Sequence, residues 1–437
     1  MNGQNKKIFF PAFLMLLVFL SLTAIPLRGQ QRIRRDIRMY AERLRENPED
    51  VEALREIGVL CVHSHQFERG KRFLGKAYNL SPRDGKTLLY YGLAYEFQDS
   101  DKVALDLYYH YPEVYPGPYQ QYVEGRYHHL SRKLIRKEIK DLLKPGATVA
   151  DSMIIPYRIA VFPLYTLNAD KVNQLYGKGL TEMLRFDLAL VPQIQVVDRV
   201  RMQILMEEAS LLHTDIPNLV NLAHISRLLG SGWSLSGTFD NIGESIISVN
   251  AYLQDVIHKQ TPERFSSADM IDTLIDIEKN LVLDFIASMG ITLTEEVKLQ
   301  ITGNKLDNIH TFYIFCQGLA AEAAGDYRSA ASFYEKVNAL DLRFQPCINR
   351  LRESLLLSRV DADKDILLRE ISPFKTIAVS RPSENNLIIE RLKNISSNLG
   401  AYFVPSQDSR QSLEEAFYSG LDLGLDDLPE PPPPPGN

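Results

Sequence analysis

The residues of this chain best suited to chemistry are its nine histidines, its three cysteines and a group of glycines near position 230, and their spacing speaks against a reaction centre. His63 and His65 are two apart, which on a helix points them about 200° away from each other, so they cannot share one metal ion; the adjacent pair His128 and His129 is no better placed. Gly230, Gly232 and Gly237 partly resemble a dinucleotide-binding pattern, but that pattern must open a helix and strand-type residues follow here, so they read as turn and close-packing glycines. Cys61, Cys316 and Cys347 are an odd set that cannot close fully into disulfides; Cys316 and Cys347 are open to pairing or to a role as small buried hydrophobes. The helical metalloprotease pair, the nucleophile elbow and the phosphate-binding loop are all missing. The sequence therefore offers no catalytic, cofactor-binding or metal site, and an unrecognised enzyme stands only as an alternative.

The elements that would carry other functions follow from length and patterning. A chain of 437 residues with 45% hydrophobic and 24% charged residues is expected to fold into several cores. A net charge of -6 gives no general basic footprint, so no nucleic-acid partner is expected. Lys6 and Lys7 precede an uncharged apolar run from Ile8 to Leu27 that ends in small residues, the pattern of an export leader. That run is long enough to cross a bilayer, Pro11 and Pro26 weaken such a span, and Arg28, Arg32, Arg34 and Arg35 follow it directly. Residues 1–29 are thus expected to be a signal peptide or an N-terminal anchor, with cleavage left open and some membrane association compatible with either. With no Cys near the leader, a lipid-modified N-terminus is not expected.

A fixed period appears next. Pro48, Pro82 and Pro116 are 34 residues apart, as are Gly58 and Gly92, and Gly70 and Ala104. Gly58 and Gly70 are small where two helices must cross, while Leu54, Ile57 and Cys61, then Phe67, Leu74 and Ala77, form the buried stripes of a helix pair. Gly318, Tyr327, Ala330, Tyr334 and Leu340 repeat the offsets downstream, within AGDYRSAASFYEKVNALD. These residues resemble the tetratricopeptide repeat family over 51–116 and 304–343. The resemblance implies a concave protein-binding face made of first-helix residues, here Arg55, Val59, Val62, Leu89, Leu93 and Glu96, and downstream Phe312, Phe315, Leu319 and Glu322. The same residues could equally pack on neighbouring helices or on the middle of the chain.

Between the repeats the period changes to that of an α/β unit. Arg158–Leu164 reads as a strand, Leu175 to Leu188 as the apolar face of a helix, and Ile194–Val197 as a second strand. Helices are expected at Arg201–Glu208 and Asn218–Leu229, and strands at Trp233–Phe239 and Ile246–Val256, joined as a hairpin through Asn241 and Gly243; a helix from Met270 to Met289 closes the unit. IAVFPL, GKGLTEMLRFDLAL, VVDR and LGSGWSLSGTF, in this order, resemble the CsgG-like domain of the curli secretion channel subunit and its periplasmic relatives, over roughly 157–290. Channel subunits of that family need a lipid anchor and long membrane hairpins, and one hairpin is visible here. The resemblance thus implies a bacterial envelope or secretion role rather than a pore.

The expected class is a multidomain α and α/β chain: tetratricopeptide-type helical hairpins at 31–146 and 304–360 flanking a small CsgG-like α/β domain with a mixed sheet at 155–292. A small α/β extension is expected at 370–405 and an acidic, proline-rich disordered tail at 407–437. The expected function is a non-enzymatic exported scaffold, periplasmic or envelope-associated, that binds other envelope proteins or peptides through the repeat faces. A CsgG-type outer-membrane channel subunit is the alternative. Oligomerisation is compatible with either, and no cofactor is expected.

Overall fold

The computed structural model describes residues 35–144, 149–166, 171–209, 219–242, 245–258, 260–306, 308–372 and 430–433. The chain divides into two compact units, one made of residues 1–127 with 360–437 and the other of residues 128–359. The leader, the strand–helix–strand expected between Lys375 and Val404, and all of the acidic tail except 430–433 lie outside the described residues.

In the first unit, helix α1 (35–46) precedes two helical hairpins, α2 (Val51–His63) with α3 (Phe67–Leu80), and α4 (Gly85–Glu96) with α5 (Asp101–Tyr108). Aspartates 34 residues apart start both first helices: Asp50 accepts from Ala53 N, and Asp84 from Lys86 N. Arg43 grips the first of these caps with two hydrogen bonds, Nε at 2.8 Å and Nη2 at 3.0 Å. The hairpins close where glycine permits contact. A Cβ on Gly58 would lie 2.5 Å from Leu74, and one on Gly92 2.2 Å from Tyr108, each partner being sixteen positions later. Helix α6 (Pro118–Leu142) passes from this unit into the second, the division falling after Tyr127. The short helix α15 (Lys364–Glu370) returns to the first.

The second unit is built on a mixed five-stranded sheet of order β2-β1-β3-β4-β5. Strands β1 (Ile155–Tyr165), β2 (Gln195–Val196) and β3 (Ser231–Asn241) are parallel, while β3, β4 (Ile246–Asp255) and β5 (Glu263–Met270) form an antiparallel meander. Helix α7 (Lys171–Ala189) and α10 (Leu274–Ser288) cover one face; α8 (Arg199–Glu208) and α9 (Leu219–Leu228) belong to a second cluster with Ala160 and Phe162. Helix α11 (Glu295–Gly303) then leads to the hairpin α12 (Ile309–Ala323) and α13 (Tyr327–Leu340), followed by α14 (Gln345–Arg359). Gly318 meets Tyr334 as Gly92 meets Tyr108, with a Cβ–ring distance of 2.4 Å. The turns of the three hairpins also coincide, with His65, Asp99 and Gly325 all at positive φ.

Two features differ from the sequence expectation. The described meander has three strands rather than one hairpin, because β5 (ERFSSADM) shows no apolar alternation and commits only Phe265 to the core, edge-on to Phe285 at 4.9 Å. The stretch expected to open the closing helix at Met270 ends this strand instead, and α10 begins at Leu274. The downstream hairpin is also not a separate body: Phe312, Phe315, Cys316 and Tyr334 share one hydrophobic cluster with Leu180, Leu184, Val249 and Phe285 of the sheet layers.

Candidate partner-binding cleft

The ten residues expected to line a binding face are not, for the most part, on a face. Val59, Val62, Leu89, Leu93, Glu96, Phe312, Phe315, Leu319 and Glu322 are buried. The reason differs between units. In the first, α4 packs on α2, α3 and α5, and the chain's own later residues also reach it: Tyr90 Oη donates to Ile371 O at 3.0 Å, and Lys364 Nζ to Glu96 O at 2.9 Å. Arg126, on α6, pairs with the Glu96 carboxylate there. In the second, Phe312 stacks on Tyr176 of α7 with ring centroids 6.1 Å apart, and Phe315 meets Phe344 edge-on at 5.1 Å. Contiguous apolar side chains that the sequence reading assigned to a partner are used internally in this arrangement.

Arg55 alone of the ten reaches the surface, and it stands in a cleft of about 400 Å³ where the first ends of α2 and α4 face the loop before α6. Val51 and Arg55 come from α2, Ser81 and Asp84 from the approach to α4, Gly85 and Lys86 from its first turn, Tyr115 to Gly117 from the loop, and Pro118 and Tyr119 from the first turn of α6. Three ionic links run along the cleft. Arg55 bridges Glu56 (Nε, 2.8 Å) and Asp84 (Nη1, 3.0 Å), and Lys86 Nζ lies 2.6 Å from Glu56 Oε2. Asp84 also takes the Thr87 hydroxyl at 2.8 Å. The two cations of the lining are thus balanced by Asp84 of the lining and by Glu56 beside it. The loop is held by Tyr115 N donating to Arg83 O at 3.0 Å and by the Arg83 guanidinium over the Tyr115 ring at 4.5 Å. Gly85 lets it sit close, since a Cβ there would lie 2.8 Å from Val114. Tyr115 is 57% exposed and Tyr119 half-buried; burial, then the nearby Glu56, raises the Tyr119 hydroxyl above its ordinary pKa.

Tyrosine and proline walls around a charge-balanced floor can take an extended peptide, whose apolar side chains pack on the rings while its backbone meets polar groups at the rim. Tyr115, Tyr119, Asp84 and Lys86 were not singled out from the sequence. The signals present were the Asp50–Asp84 spacing of 34, which marks the mouth of successive hairpins, and the YPGPY run, where turn formers leave two aromatic rings beside it.

The buried ionic groups have a different character. Glu322 accepts from Arg199 at 2.5 Å and from Tyr334 at 2.9 Å, and Arg350 completes the group at 3.4 Å. Burial alone would raise Glu322, but Arg199 and Arg350 outweigh it and hold the carboxyl low. Arg199, the arginine of VVDR, therefore ties the sheet layer to the α12–α13 hairpin. On α10, Glu278 and Lys279 meet Asp187 of α7: Lys279 pairs with both acids, and Asn304 donates to Asp187 at 2.9 Å. Burial pushes Glu278 up to about 8 against the opposing pull of Lys279, and the neighbouring Asp187 adds to the rise.

The remaining candidates take structural places. His63 is buried 3.2 Å from the Tyr90 hydroxyl, and burial lowers its pKa to about 3, so it stays neutral. Gly230 makes a positive-φ turn into β3, and Gly232 and Gly237 lie where a Cβ would strike Pro156 O and Asn250 O. All three cysteines are free and buried. Among the described residues no group of three or more His, Cys, Asp or Glu is placed to hold a metal ion, and no helix is long and apolar enough to cross a membrane. No protein-family model matches the chain, and no curated protein matches it.

Proposed function

We propose that this chain is an exported, non-enzymatic scaffold of the cell envelope, composed of tetratricopeptide-type hairpins and a CsgG-like α/β domain, which holds an extended segment of a partner protein in the cleft at Arg55. The single observation that carries this reading is the cleft itself, an aromatic and proline-walled opening whose cations are balanced by Asp84 and Glu56. The equal offsets in the three hairpins, 58 to 74, 92 to 108 and 318 to 334, support the repeat assignment. The mixed sheet with parallel β1 to β3 followed by an antiparallel meander supports the α/β assignment. Export rests on the leader pattern of residues 6–29.

A peptide library displayed on phage and selected against the full-length chain tests it. Expected are enriched peptides whose binding falls at least tenfold on Tyr119→Ala, with an unchanged melting temperature. Absence of enrichment, or binding indifferent to Tyr119, would sink the peptide-cleft reading, and recovery of the protein from the cytoplasmic fraction of native cells would sink the envelope role. A channel subunit is the second reading, favoured by the three-stranded meander and by Ile242, Ile246 and Met270 exposed where its strands end. Stepwise ion conductance in planar bilayers would move the assignment to it.

A further inference from the structure

Helix α3 carries Arg69, Arg72 and Lys76, which at i, i+3 and i+7 fall on one face of the helix, and all three are partly buried. Two of them are set apart by their hydrogen bonding. Arg72 Nε donates at 2.7 Å to the backbone carbonyl of Pro432, and Arg69 Nε is buried with no hydrogen-bond partner among the described residues. Pro431 and Pro432 are themselves half-buried.

Pro432 belongs to the run Pro431–Pro435, which follows Glu414, Glu415, Asp422, Asp426, Asp427 and Glu430 with no Lys or Arg after Arg410. A polyproline segment has no backbone N–H to pair its carbonyls, so those carbonyls are acceptors free for a donor from elsewhere, and its fixed φ makes it cheap to immobilise. An arginine on a helix supplies such a donor, and neighbouring cations suit an acidic flank.

We propose that the Arg69–Arg72–Lys76 face is a docking site for an acidic polyproline segment, and that its occupant is this chain's own C-terminal tail, tethered back to the first unit. Tethering makes the tail's binding intramolecular, which favours it over a free copy of the same segment. The inference is independent of the cleft at Arg55.

The test uses full-length chains and a fluorescent synthetic peptide of residues 421–437. In fluorescence polarisation, a chain with Pro431–Pro435 replaced by serine should bind the peptide at least tenfold more tightly than the unaltered chain, because its site is vacant. Adding Arg72→Glu to the serine chain should weaken binding at least tenfold, and raised salt should weaken it further. Arg72→Gln repeats the comparison with a smaller perturbation if circular dichroism shows that Arg72→Glu disturbs folding. Peptide that binds both proline and serine chains equally would make the face an open surface for a foreign partner and overturn the tail as occupant. Peptide that binds neither chain, or is indifferent to residue 72, would overturn the site.

Discussion

Tyr334 donates its hydroxyl to the carboxylate of Glu322, twelve residues before it, at 2.9 Å, and Tyr108 stands in the same relation to Glu96 at 2.8 Å. In both hairpins the tyrosine ring lies over a glycine four residues ahead of the glutamate, Gly318 and Gly92, and in both an arginine from another helix closes the group. The hairpin thus buries a carboxylate at the end of its first helix and offers it a hydroxyl from the second. Because the arginine comes from outside the hairpin, the same group joins it to the next layer: Arg126 of α6 in one case, Arg199 and Arg350 in the other.

Tyr334→Phe and Tyr108→Phe isolate this bond, since each keeps the ring over its glycine and removes one donor. A hydrogen bond to a charged group contributes about 1.5–3 kcal/mol, so each variant should lose stability in that range by urea denaturation. Losses below about 0.5 kcal/mol in both would mean that water or the arginines replace the hydroxyl without cost.

Removing the acid is a harsher change. Glu322→Ala removes the buried carboxylate and leaves the half-buried Arg199 and Arg350 with Glu182 as their remaining shared acid, so the loss should be about 3 kcal/mol, the lower end for breaking a buried pair. Glu322→Gln should fall between the two, because the amide keeps an acceptor but not the charge. The ordering Tyr334→Phe, Glu322→Gln, Glu322→Ala in rising cost is the expected result from chemical melts.

Two of the buried carboxyl groups of the second unit, Glu278 and Glu322, pull stability in opposite directions with pH. Glu278, raised to about 8, binds more protons in the folded than in the unfolded chain between roughly pH 4.5 and 8, so its contribution is full below that window and is lost as pH rises through it. Glu322, held below its ordinary value by Arg199 and Arg350, contributes above the ordinary carboxyl range and is lost on acidification. Melting temperature followed from pH 4 to 9 should therefore show a decline as pH rises to which Asp187, also raised by burial, adds, and which Glu278→Gln reduces, while Glu322→Gln leaves that decline in place. A Glu278→Gln chain with the same alkaline slope as the parent would refute the assignment.

What was legible in the sequence was local. Gly58, Gly92 and Gly318 were readable as helix crossings because the requirement for a small residue is met within one hairpin, and the first sheet strands were readable because both their faces are apolar. The direction in which an apolar face points was not legible. Leu89 and Leu93 have the spacing of a binding groove whether the groove holds a partner or the chain's own helices, and here both are buried within the packed hairpins. Phe312 is read in the same way until α7 is placed beside it. Strand β5 escaped because its pairing with β4 depends on backbone bonds and its side chains are polar, whereas the cleft escaped because tyrosine, proline and paired charges form no periodic pattern.

The clearest check on that integration is the crossing of α7 and α12. A Cβ on Gly179 would lie 2.3 Å from Cys316 Sγ and 2.7 Å from Phe312, so Gly179→Ala overpacks the contact and should cost about 1–3 kcal/mol. Cys316→Ala by itself leaves a small void where the sulfur was, with a modest cost. Together the two changes exchange a methyl for a sulfur in nearly the same space, so the double variant should be more stable than the sum of the single losses by at least about 1 kcal/mol, the coupling expected of residues in contact. Additive losses would mean that the downstream hairpin does not rest on α7 in solution, and the shared core that removes Phe312 and Phe315 from any binding surface would have to be given up.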